Sequence, residues 1–186
     1  MLMDHGTQWW GTMNAQGLTW LTVFMIKQGI RLHYCRVRHP QTQGKVERLN
    51  RTLDEYVQHR GQPTTLGEFN ALLDQFRQIY NNVRPHEALN MDVSATRYEP
   101  SKKMYNPNPR EWEYPAGAVV VRLNTQGCMD YRHRRYFVCE ALAKELVKVD
   151  ELDGKLIVSF RHMLIREIDI ESARGSAFLW PEDELR

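Results

Sequence analysis

The spacing of the apolar residues from Lys45 onward changes character once, at a proline-rich stretch, and that change limits what the chain can fold into. From Lys45 onward Val46, Leu49, Leu53, Tyr56 and Val57 recur every three or four residues, the period that gathers side chains on one face of an α-helix. Leu66 to Asn82 repeats the pattern with Phe69, Leu72, Leu73, Phe76, Ile79 and Tyr80, and Thr65 with Glu68 three positions later predicts a capping box at its start. Tyr98 to Tyr114 then carries Pro100, Pro107 and Pro109 with few aliphatic residues, the composition of an extended linker. Beyond it the runs are short and rich in β-formers: Ala118 to Leu123, Tyr131 to Cys139, Glu145 to Glu151 and Lys155 to Phe160. Asp153-Gly154 is a hairpin-turn signal between the last two, and a small antiparallel barrel is the simplest closure.

The segment before Lys45 mixes the two periods. Leu2-Met3-Asp4-His5-Gly6 reads as the end of a strand running into a turn. Gln16 to Gln28 spaces Leu18, Leu21, Met25 and Ile26 as a helix does, with Gly29 placed to cap it, and Ile30 to Tyr34 alternates like a strand. His39 to Gly44 is a polar loop leading into the helix at Lys45.

At 186 residues with 42% hydrophobic and 26% charged residues, the chain can bury a core and form one medium domain or two small ones. A net charge of +2 does not by itself call for a polyanionic partner, so position matters more than total. Arg31 to Arg60 holds seven basic residues against Glu47, Asp54 and Glu55, while the C-terminal tail is acidic. Cys35, Cys128 and Cys139 form an odd set without a C-x-x-C pair, which fits thiols in a reducing, cytoplasmic setting better than disulfides or zinc. His5, His39 and His86 lack the close pairing of zinc ligands. No run approaches the roughly 20 apolar residues that span a bilayer, so no membrane association is expected.

Asp4 at a strand end and Glu47 in the first turn of a helix are two carboxylates that a compact α/β fold can bring together, and hard divalent cations such as Mg²⁺ or Mn²⁺ prefer such oxygen ligands. Turn chemistry and the helix macrodipole favour the same two residues with no metal at all. The words around them carry more. His39-Pro40-Gln41-Thr42-Gln43-Gly44-Lys45-Val46-Glu47-Arg48-Leu49-Asn50-Arg51 resembles the signature of integrase-core transposases of bacterial insertion sequences, in the retroviral-integrase superfamily. Asp4-His5-Gly6-Thr7-Gln8-Trp9 resembles that family's second-aspartate motif, which more often has Asn at the His5 position and Phe at that of Trp9. Tyr80-Asn81-Asn82-Val83-Arg84-Pro85-His86-Glu87-Ala88-Leu89 is similar to the segment that closes the family's catalytic core, and Tyr131-Arg132-His133-Arg134-Arg135-Tyr136-Phe137-Val138 to a small C-terminal β domain that contacts DNA.

The resemblance implies an α/β fold with a partial ribonuclease H-like core over residues 1–97, a linker over 98–114, and an all-β SH3-like barrel over 115–180. It implies Asp4 and Glu47 as two members of an Asp-Asp-Glu metal triad, with the first aspartate on a strand preceding Met1, so that Mg²⁺ or Mn²⁺ would be held weakly or not at all. His39, Gln41, Lys45, Arg48 and Arg51 would meet DNA beside them, and Arg132, Arg134 and Arg135 would do so on the β domain. The expected partners are DNA, both transposon ends and target, and a second copy or a full-length transposase in mixed assembly. The expected activity of the complete enzyme is metal-dependent DNA strand cleavage and transfer; a DNA-binding or transposase-interacting remnant is the competing reading.

Overall fold

The structure, a computed structural model, describes residues 1–12, 17–35 and 44–181. It divides into two compact units, one made of Met1–His39 with Tyr105–Arg186 and the other of Pro40–Met104.

The first unit opens with a β-α-β arrangement. Strand β1 (Leu2–Met3) pairs in parallel with β2 (His33–Tyr34), and helix α1 (Trp20–Lys27) lies between them in sequence. Helix α1 starts later than the apolar spacing suggests, because Thr19 is extended and its side chain accepts from Thr22 N in a reciprocal capping box. It stops at Gly29, as expected. At φ 73° this glycine donates to Ile26 O (2.8 Å) while Ile30 N donates to Met25 O (3.0 Å), a Schellman closure that only a residue tolerant of the left-handed region makes without strain. With Ile30 used in that closure, the expected strand shortens to its last two residues.

The remainder of this unit is antiparallel β. Strands β3 (Val120–Arg122), β6 (Leu146–Leu152), β7 (Lys155–Phe160), β8 (Met163–Asp169) and β9 (Gly175–Pro181) form one sheet in the order β3-β6-β7-β8-β9. β4 (Cys128–Tyr131) and β5 (Arg134–Phe137) form a separate hairpin. Asp153 and Gly154 turn between β6 and β7 with φ of 48° and 76°, the backbone that the Asp-Gly pair predicts. The run from Tyr131 to Cys139 is not one strand: Arg132 and His133 take φ of 46° and 67° and reverse the chain between β4 and β5. Strands β8 and β9 went unread in the sequence. In β8 Met163, Leu164, Ile165 and Arg166 are all buried, since register shifts interrupt its pairing with both neighbours and erase the in-out alternation. Among the described residues the ladder does not close, because β3 and β9 each pair on one side only; the expected barrel is here an open five-stranded sheet.

One hydrophobic core joins both parts of this unit. Met3, Leu18, Val23, Ile26 and Leu32 pack in the same cluster as Leu123, Met129, Tyr136, Leu142, Val147, Leu156, Phe160 and Ile168. Arg166 is buried with them, its guanidinium over the Phe137 ring and donating to Val138 O (3.2 Å) and Gly175 O (3.0 Å); removal from water pulls its pKa down.

The second unit is a helical pair. Helices α2 (Gly44–Arg60) and α3 (Leu66–Asn82) follow the expected limits closely, and α3 carries the predicted capping box from Thr65 to Glu68. Their facing stripes are only half-buried, and neither helix has a fully buried residue. Aromatic rings tie the pair together: Tyr56 meets Phe76 (5.3 Å between centroids), Phe76 meets Tyr80 (5.4 Å), and Tyr80 meets His86 edge-on (4.9 Å). Two 3₁₀ turns, Glu87–Leu89 and Ser94–Arg97, finish the unit, and from there to β3 no helix or strand forms, in keeping with the prolines.

Candidate carboxylates and nucleic-acid interface

Asp4 follows β1 directly. Cys35 N donates to Met3 O (2.9 Å), so Asp4 leaves the parallel pair at its carboxyl end, the edge at which open α/β sheets collect ligands. Its Oδ1 accepts from Gly6 N (2.9 Å), and Gly6 O accepts from both Trp9 N and Trp10 N (2.9 Å each), which fixes the turn. The carboxylate itself is exposed. Beside it His5, Trp10 and Tyr34 form a ring cluster, with His5 4.7 Å from Trp10 and 5.6 Å from Tyr34, and Trp10 5.1 Å from Tyr34. The Tyr34 hydroxyl donates to Trp9 O (2.9 Å), and burial drives its pKa well above the ordinary phenol range, so it stays a neutral donor.

Glu47 lies in the first turn of α2, where the helix dipole favours a carboxylate, and it is exposed. Lys45, Arg48 and Arg51 stand on the same opening turns, each exposed and three residues from the next. Cations and free helix N–H groups at one helix end attract phosphate. His39 and Gln41 lie outside the described residues. Asp4 belongs to the first compact unit and Glu47 to the second. Among the described residues, no group of three or more His, Cys, Asp or Glu side chains comes together to hold a metal.

The basic residues of the β4–β5 hairpin are spoken for within the chain. Arg132 sits in the turn rather than at a strand position, binds Glu151 through both its terminal nitrogens (2.9 and 3.0 Å) and covers the Tyr131 ring. Arg134 donates to Ile170 O (2.8 Å). Arg135 grips Asp130 with Nε (2.9 Å) and Nη2 (3.3 Å), and this pairing holds the Asp130 carboxyl below its usual range. All three remain exposed, so a phosphate reaching them would share or replace these partners.

Residues 28–92 match the family model of the integrase core domain. That stretch is similar to the integrase-core family. The integrase-core stretch takes in β2, α2, α3 and the Tyr80–Leu89 segment, and with them Glu47, Lys45, Arg48 and Arg51. Asp4 and the β4–β5 arginines lie outside it. The sequence reading passed over a second basic cluster on the first unit, formed by Lys27, Arg122, Lys144 and Arg161; these residues are scattered along the chain and only the fold collects them. No helix among the described residues is long and apolar enough to cross a membrane.

Proposed function

We propose that this chain is a DNA transposase or integrase protein, cytoplasmic, that grips DNA through the start of α2 and carries two metal-binding carboxylates, Asp4 and Glu47. The observation that carries the reading is the integrase-core match lying across α2, whose opening turns present Lys45, Glu47, Arg48 and Arg51 together. His39 and Gln41, which lie outside the described residues, are assigned to DNA contact on the motif alone. In this reading residues 1–97 are a partial ribonuclease H-like core, 98–114 the linker, and 115–180 an SH3-like domain whose Arg132, Arg134 and Arg135 add backbone contacts. DNA comprising transposon ends and target is the partner, with a second copy or a full-length transposase as the mate in assembly.

The donor chemistry of Asp4 and Glu47 fits Mg²⁺ or Mn²⁺, both being exposed carboxylates, but two ligands without a third make an incomplete set for a two-metal site. The reaction of this reading is the cutting and rejoining of DNA. A second reading is a non-catalytic DNA-binding or transposase-interacting remnant.

The test is a Mn²⁺ titration followed by electron paramagnetic resonance on wild type, Asp4→Asn and Glu47→Gln. Loss of Mn²⁺ affinity in each variant is expected. Equal affinity in all three proteins would remove both carboxylates as ligands.

A further inference from the structure

On the first unit, α1's C-terminal end, the extended segment after Tyr105 and the β3–β6 edge border an open cleft of about 500 Å³. Lys27, Arg122, Lys144 and Arg161 line it, against Glu111 and Glu145. Lys27 is paired with Glu145, which neutralises one cation with one of the carboxylates. Arg122 donates to Lys144 O (2.8 Å), and Arg161 donates to Lys27 O (2.9 Å) and Arg110 O (3.4 Å). Backbone carbonyls hold a guanidinium in place without cancelling its charge, so the cleft keeps a positive excess on oriented donors. Arg161 is partly desolvated, and its pKa is pulled down by that burial, so an anion beside it would relieve a cost already present. Lys144 and Arg161 both hold positive φ, 67° and 54°, a conformation that ordinary side chains rarely keep. A smaller recess shares Arg122, Lys144 and Arg161 with the cleft and is lined also by Trp112, a residue 41% exposed whose ring lies 5.9 Å from that of His162.

We propose that this cleft binds the sugar–phosphate backbone of a single DNA strand, with the cations on phosphate and a neighbouring base stacked on Trp112. Oriented guanidinium groups suit phosphate, and an exposed indole beside a basic groove is the feature that separates a nucleic-acid strand from a free inorganic anion. The proposal rests on the DNA reading above but uses residues other than those of α2 and of the β4–β5 hairpin.

The experiment is fluorescence anisotropy of a labelled single-stranded DNA oligonucleotide of mixed sequence, titrated at several salt concentrations. Lys144→Asn removes one charge with a residue that tolerates the left-handed backbone, and Lys144→Asn with Arg122→Gln removes two. The slope of log affinity against log salt should fall by about 0.7 for each charge removed. Trp112→Ala should weaken binding about tenfold with the slope unchanged. Lys155→Gln, at a cation paired with Glu167 away from the cleft, should match wild type. A double variant that melts like wild type and keeps its affinity and slope would overturn the proposal. Absence of single-strand binding in wild type would overturn it too. Loss of duplex binding on changing Lys45, Arg48 and Arg51, alongside an unaffected double variant, would refute the cleft and leave the α2 reading standing.

Discussion

Gly127 shows how a single position can decide local structure. At φ 72° it follows the turn into β4, and its carbonyl accepts from both Val138 N (2.9 Å) and Cys139 N (3.1 Å). A Cβ built there would come within 2.1 Å of Cys139 O and 2.4 Å of its carbonyl carbon, which is backbone and cannot swing aside. Gly127→Ala therefore combines left-handed strain with a backbone clash and should cost more than about 2 kcal/mol in chemical denaturation. Gly44, by contrast, has open space where its Cβ would be, so the glycine just ahead of Lys45 is not demanded by packing. The sequence marks Asp4 and Glu47 as candidates through the words around them, whereas the partners of Arg132 and Arg134 cannot be read from it. Glu151 and Ile170 are remote in sequence from the arginines they engage, and only the sheet brings them close.

Helix α3 was legible to its ends because everything that defines it is local. Thr65 caps Glu68 N (3.2 Å), Glu68 Oε2 accepts from Thr64 N (2.9 Å) and Thr65 N (3.3 Å), and the apolar stripe follows at helical spacing. Thr65→Ala should cost about 1 kcal/mol, read from the loss of helical signal on denaturation. These bonds hold the Glu68 carboxyl below its usual pKa, so the folded form binds its proton less readily than the unfolded form. The resulting stability is present above the ordinary carboxylate range and is lost as pH falls through the depressed folded value. Glu68→Gln should flatten that acid-side loss; an unchanged pH profile would show that the cap does not act through charge. Strand β8 was illegible for the opposite reason, since its burial pattern is set by shifted pairing with neighbours and not by its own alternation.

At the scale of the molecule, the sequence conveyed the change from helical to β periodicity but not which pieces share a core. Ile26 of α1 and Phe160 of β7 are both buried in one cluster although the chain between them includes the whole second unit. No local pattern announces such a contact, because α1 is apolar nearly all round and could bury any face. Ile26→Ala should destabilise by about 2 to 5 kcal/mol, and the loss should appear in the unfolding of the β-rich unit, with the α2–α3 pair little affected. Domain organisation and function meet in α2, where the integrase-core match and the basic opening turns coincide. The most direct measurement is the salt dependence of binding to a mixed-sequence DNA duplex, for wild type and for the protein with Lys45, Arg48 and Arg51 all changed to Ala. The α2 reading predicts wild-type binding that weakens steeply with salt and a slope shallower by about 2.7 in the triple variant, three phosphate contacts having been removed. Equal slopes and affinities in two equally folded proteins would contradict it.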